Sequence, residues 1–150
     1  MEYQNTVNIE EILSYLIHKK KHYDKILDLT EKQEEAIQSN NTKKLTLLTT
    51  EKENFIKEIK RLDKINIEIQ EELRTNNKVL TLDKRIYSLW NQLQTITTKI
   101  RNYDLDSIAL LHSSIKKTKT SLDRLNKRKI AQHSMRYQGI HPSRFVDVIQ

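Results

Sequence analysis

The side chains with the best spacing for chemistry are two histidines near the start of the chain. His18 and His22 are four residues apart, so on a helix both imidazoles would lie on one face, as a pair of metal ligands does. Three lysines separate them, and no glutamate follows in the HExxH arrangement of zinc hydrolases. We therefore expect no metal site at this pair.

No other group of residues has the pattern of an active site. His112, His133 and His141 are isolated, and no Ser-His-Asp grouping has a glycine-rich loop to hold it. The chain contains no cysteine, which excludes thiol nucleophiles, disulfides and thiolate zinc sites and favours a reducing compartment. The sequence predicts a protein that is not an enzyme and needs no cofactor.

The chain is almost free of the two residues that interrupt helices. Gly139 is the only glycine and Pro142 the only proline among 150 residues, so long stretches can remain helical. No stretch approaches the roughly 20 apolar residues of a membrane span, and the first residues lack the pattern of a secretion signal. We expect a cytoplasmic protein without a membrane span.

Apolar residues recur at steps of three and four and define three helical segments. They predict helices at about residues 6–38, 42–74 and 80–138, joined by short polar turns, with Asn5 or Thr6 as the first N-cap. The expected fold is all-α, an elongated antiparallel three-helix coiled-coil bundle with a long third helix and an extended C-terminal tail.

The middle segment has the most regular pattern. Its apolar positions alternate in steps of three and four over four heptads, which is the a and d pattern of a coiled coil. Lys52 and Asn66 occupy a positions, where a polar residue costs stability while it fixes the register. The a and d residues are Leu45, Leu48, Lys52, Phe55, Ile59, Leu62, Asn66, Ile69 and Leu73.

The third segment changes register and charge along its length. Its apolar residues from Leu82 to Tyr103 keep the three-four rhythm, and the apolar line then shifts. Residues 1–114 carry 18 basic and 18 acidic side chains, whereas residues 115–150 carry nine basic and two acidic ones. After the shift, the apolar line consists of Leu111, Ile115, Leu122 and Leu125, beside Lys117, Arg124 and Arg128.

Two structures are compatible with this segment. Either one helix continues past its shorter neighbours, or the chain breaks at residues 102–107 and a fourth helix folds back. The lack of glycine and proline there favours the continuous helix. In that case the line from Leu111 to Leu125 has no cover from its own chain, and it is suited to bind a partner helix.

The chain closes with YQGIHPSRFVDVIQ. Gly139 has the place of a C′ residue, and Pro142 prevents the helix from resuming. We therefore divide the chain into a helical bundle at residues 1–138 and an extended tail at residues 139–150. The tail is either a strap that packs back on the bundle or a segment that recognises a partner.

With these elements in place, the sequence resembles the small flagellar type III export chaperones of the FlgN and FliT kind. The resemblance rests on the heptad segment EKENFIKEIKRL, on the long basic last helix and on a tail motif. The motif residues are Tyr137, Ser143, Arg144, Phe145, Val146 and Asp147.

The resemblance implies a cytoplasmic chaperone that keeps the helical terminus of a hook-associated or filament-cap subunit unassembled and delivers the subunit to the export apparatus. It also implies that the last helix binds this client. The client-binding residues would be Leu111, Ile115, Leu122 and Leu125, with Arg124 and Arg128 beside them.

Two other functions fit the same residues. Self-association through the apolar line would make the chain a homodimer or a structural coiled-coil protein. The basic last quarter would suit non-specific contact with nucleic acid phosphates. Tyr87 and Trp90 lie near the seam of the third helix, where we expect packing rather than base stacking, so nucleic acid is the less favoured partner.

Overall fold

The computed structural model of the chain describes residues 8–139, with side chains described as far as residue 134. Every regular element in this part of the chain is a helix, so the predicted all-α class is confirmed. The exact three-helix bundle is not confirmed, because residues 8–139 form five helices. They are α1 (Ile9–Gln38), α2 (Thr42–Ile65), α3 (Ile67–Thr75), α4 (Asn77–Leu80) and α5 (Lys84–Gly139).

The first helix begins a few residues later than the sequence pattern predicts. Asn8 is its N-cap, and the Asn8 side-chain oxygen accepts a hydrogen bond of 2.7 Å from the backbone N–H of Glu11. Glu10 and Glu11 add negative charge to the first turn, where the helix dipole favours it. The predicted caps Asn5 and Thr6 lie outside the described residues, as do residues 140–150 of the predicted tail. Gly139, the first residue of that predicted tail, is instead the last residue of α5.

The predicted polar turn between the first two segments joins α1 and α2. Asn40 has a φ of 55°, in the left-handed region that asparagine tolerates better than most residues. The backbone N–H of Asn41 donates to the Ala36 carbonyl over 2.8 Å, and the Asn41 side chain caps α2 by accepting from the N–H of Lys44. α1 and α2, which this turn joins, pack against each other and form a helical hairpin.

The predicted second helix is divided at Asn66. The Asn66 backbone N–H and its side-chain amide both donate to the carbonyl of Leu62, each over about 3 Å. An asparagine side chain that donates a hydrogen bond to a carbonyl of the preceding turn competes with the backbone hydrogen bonds that would continue the helix. Asn66 therefore ends α2, and α3 resumes one residue later without a side-chain cap.

The connection before the last helix is longer than predicted. Asn76 caps the single turn of α4, and the Asp83 carboxylate then accepts the backbone N–H of Arg85 over 2.7 Å. The side chain of Arg85 also donates to Asp83, and these hydrogen bonds hold the pKa of that carboxyl below its usual value. The last helix begins at Lys84, so Leu82 lies before it and is exposed.

The last helix has no break at residues 102–107. All six residues are helical, so the structure has the continuous helix and not the alternative in which a fourth helix folds back. The chain forms two compact units, Met1–Ile108 and Ala109–Gln150. In the second unit, the described residues belong to α5 alone.

The first unit is held together by an apolar cluster to which four helices contribute. Leu16 from α1 and Ile86 from α5 have no exposed surface, and Val79 of α4 is almost completely buried beside them. Leu89 and Trp90 pack against this cluster, as the sequence predicts for the seam of the third segment. The buried members are Ile12, Leu13, Tyr15, Leu16, Ile69, Leu73, Val79, Ile86 and Leu93.

Several polar contacts cross the helices of the first unit, and two of them involve the buried side chains of Lys52 and Tyr15. The ammonium of Lys52 in α2 lies 2.7 Å from the Asp104 carboxylate of α5 and donates to Gln33 of α1 over 3.1 Å. The hydroxyl of buried Tyr15 donates to Asp63, and burial together with this carboxylate raises the pKa of Tyr15. Because each contact joins different helices, both fix the helical register.

The buried cluster gives a direct test of which leucines form the core. Leu16→Ala removes a side chain with no exposed surface and should lower the free energy of unfolding by about 2–5 kcal/mol. The control is Leu47→Ala, since 64% of Leu47 is exposed, and it should change that energy by less than about 0.5 kcal/mol. Urea denaturation measures both, and equal losses would show that the core is misplaced.

The contact between Lys52 and Asp104 gives a second test. Asp104→Ala leaves the Lys52 ammonium, whose side chain is 11% exposed, without its carboxylate and should cost about 1–2 kcal/mol of unfolding free energy. Adding Lys52→Leu removes the unpaired charge and supplies an apolar a residue, so most of that loss should return. If the double variant is no more stable than Asp104→Ala alone, the two side chains do not interact.

Candidate functional site

The candidate site lies on the part of α5 that belongs to the second unit. Each residue from 111 to 134 is exposed, which gives this segment an accessible surface on all sides of the helix. The sequence places four large apolar side chains there at regular intervals. Such residues are suited to contact another polypeptide because their exposed surface is costly to keep in water.

The four predicted apolar residues lie along one side of the helix, and we call this line the apolar row. Their exposed fractions are 38% for Leu111, 65% for Ile115, 55% for Leu122 and 50% for Leu125. Their steps of four, seven and three residues keep them within an arc of roughly 80°, at about 100° per residue. Thr118 occupies the same arc between Ile115 and Leu122, so the row carries a short polar gap in its middle.

The two predicted arginines lie close to each other beside the apolar row. Arg128 follows Arg124 by four residues, so the two lie about 40° apart around the helix, roughly 100° and 140° from the centre of the row. The nearest row residue to both is Leu125, from which Arg128 is about 60° away and Arg124 about 100° away. Arg128 is therefore the nearer of the two to the row.

The predicted tail motif cannot be placed with the row. Tyr137 belongs to α5, but its side chain lies outside the described residues. Ser143, Arg144, Phe145, Val146 and Asp147 also lie outside the described residues. The role of the motif stays a prediction.

The first unit contains a groove that the sequence pattern did not indicate. Its volume is about 660 Å³, and it lies between the start of α1 and the start of α5. Ile17 is 43% exposed and lines this groove with Leu13 and Leu89. Ile17 follows Leu13 by four residues and lies on the same side of α1, so spacing groups it with buried residues and gives no signal of its exposure.

His18 and His22 each have a partner within the protein. The Nδ1 atom of His18 lies 2.7 Å from the Ser14 carbonyl, and the His22 ring meets Phe55 edge-on with its centroid 6.0 Å away. No group of three or more metal-ligating side chains occurs among the described residues. Within residues 8–139, no helix is both long enough and apolar enough to cross a membrane.

Comparison with protein families identifies a match over most of the chain. The family model described as FlgN protein matches residues 1–139, which includes both the first unit's helices and the apolar row. The match ends before most of the predicted tail motif. Neither the curated proteins nor the solved structures yield a match.

The exposure of the apolar row predicts that its substitution does not disturb folding. Leu122→Asp with Leu125→Asp should lower the free energy of unfolding by at most about 1 kcal/mol, mainly through helix propensity. Leu93→Asp, at a residue that is 4% exposed, should cost several times more because it buries an unpaired carboxylate. Circular dichroism during urea denaturation measures both. A loss from the double variant as large as that from Leu93→Asp would show that the row is core.

Proposed function

This chain belongs to the FlgN protein family of flagellar export chaperones, and we propose that its client is a hook-associated or filament-cap subunit. In this proposal the chaperone acts in the cytoplasm, keeps the subunit from assembling early and delivers it to the export apparatus. The family match supports the chaperone class, and the apolar row on α5 supports the mode of binding.

The observation that carries the proposal is the exposure of the apolar row. Leu111 and Leu125 are separated by 14 residues, so the row spans about 21 Å, at roughly 1.5 Å per residue. An amphipathic client helix of about four turns would cover it. Burying a leucine or isoleucine side chain fully is worth about 1.5–3 kcal/mol. The side chains of the row are 38–65% exposed, so about half of this free energy becomes available when a client helix covers them.

The same contact would prevent early assembly. Subunits that polymerise through amphipathic terminal helices need the apolar face of those helices to bind one another. When that face lies on the row, it is no longer available to a second subunit. Arg128 at the edge of the row would favour a client with acidic residues beside its apolar face, and it would speed the encounter.

Binding to purified subunits tests the proposal. Each hook-associated and filament-cap subunit from the source cell is titrated with the chaperone, full-length and with its terminal helical segment removed, by isothermal calorimetry. One subunit should bind, and only with its terminal segment present. Leu122→Asp with Leu125→Asp should weaken this binding by roughly 30- to 1,000-fold, which corresponds to about 2–4 kcal/mol.

The matched control also carries two aspartates at exposed apolar positions. Leu47 and Ile65 in α2 are 64% and 65% exposed, so Leu47→Asp with Ile65→Asp changes charge and hydrophobicity equally without touching the row. It should leave the affinity unchanged. Light scattering on the free chain completes the test. A stable dimer that the row variant dissociates would make the row a self-association surface and would contradict the proposal.

A further inference from the structure

The face of α5 opposite the apolar row carries a line of cations. We call this line the basic stripe and define it as Lys116, Lys117, Arg124 and Lys127, all of which are exposed. At about 100° per residue, the centre of the stripe lies roughly 175° from the centre of the row. A helix that covers the row would therefore leave the stripe in contact with solvent.

We propose that the basic stripe binds an acidic helical segment of a second protein. Binding at the stripe is independent of the function proposed above. Only the simultaneous occupation of the stripe and the row rests on that function. The two surfaces lie on opposite sides of one helix, so the two partners would not compete for space. The stripe thereby offers a place where a loaded chaperone can be recognised.

The spacing of the cations indicates a helical partner. Lys117 and Arg124 are seven residues apart, and Lys127 follows Arg124 by three. Carboxylates repeated at steps of three, four and seven lie on one face of a helix, so an acidic helix can meet all of these cations along a length of about 16 Å. Electrostatic complementarity of this kind sets the choice of partner and the association rate more than the affinity.

The same face is poorly suited to nucleic acid. Residues 109–134 contain no phenylalanine, tyrosine or tryptophan on which a base could stack. Asp123 lies beside the stripe, seven residues after Lys116 and four before Lys127. A protein partner can place a neutral or basic residue opposite this carboxylate, whereas a phosphate backbone presents negative charge at every step.

The same face is also poorly suited to a lipid surface. A helix that lies on a membrane embeds its apolar side and keeps its cations near the headgroups that flank that side. In α5 the cations of the stripe point away from the apolar row. A membrane that embeds the row would meet Lys119, Arg128 and Lys129, each within about 60° of a row residue, and would leave the stripe in solvent.

Two designed peptides test the proposal on the full-length chain. One is an alanine-rich helical peptide with glutamates at steps of three and four on a single face, and the other has the same composition with the glutamates scattered around the helix. Fluorescence anisotropy should show that the patterned peptide binds more tightly. Lys117→Glu with Arg124→Glu should weaken its binding about tenfold or more, because two ion pairs become repulsive.

Two control variants make the result specific. Lys57→Glu with Lys60→Glu changes the net charge equally at exposed positions of α2 and should leave the affinity unchanged. Leu122→Asp with Leu125→Asp should retain most of the peptide binding, so a failed client proposal and a failed stripe proposal give different results. Equal binding of both peptides, equal loss in the α2 variant, or tighter binding of an oligonucleotide of the same charge would overturn the proposal.

Discussion

The structure depends on how the apolar face of one long helix is covered. In the first part of α5, Ile86 and Leu93 are buried, and their burial against α1, α3 and α4 holds the first unit together. From Leu111 onward the helix continues, but its apolar side chains are exposed. The same kind of residue thus stabilises the fold in one part of the helix and, in the proposed function, binds a client in the other.

Polar contacts determine how the helices are aligned along their axes, which the apolar cluster alone would not determine. Leucine and isoleucine seams tolerate a shift by one heptad, because the shifted residues are of the same kind. Lys52 beside Asp104, and Tyr15 beside Asp63, lose their partners in any shifted arrangement. An unpaired buried charge or hydroxyl is costly, so these contacts favour a single register and fix where the covered part of α5 lies on its neighbours.

Much of the fold could be predicted because the spacing of a and d residues indicates which side chains of a helix are buried. All nine a and d residues predicted between Leu45 and Leu73 are buried or half-buried. The break at Asn66 could not be predicted, since an asparagine at an a position fits both a continuous seam and a helix end. The partners of Lys52 and Tyr15 come from residues far away in sequence, and spacing within one helix carries no information about them. The spacing in the sequence identified the residues of the apolar row, but only the structure shows that they are exposed.

Hydrogen exchange along α5, followed with and without the bound subunit, shows whether the two parts of this helix differ in their packing. In the free chain, backbone amides at residues 86–104 should exchange slowly and those at residues 111–125 much faster, because only the former are packed within the fold. Binding should slow exchange at residues 111–125 and leave the first unit unchanged. Equally slow exchange in both parts of the free helix, or protection by the subunit only within α1 and α2, would contradict the account.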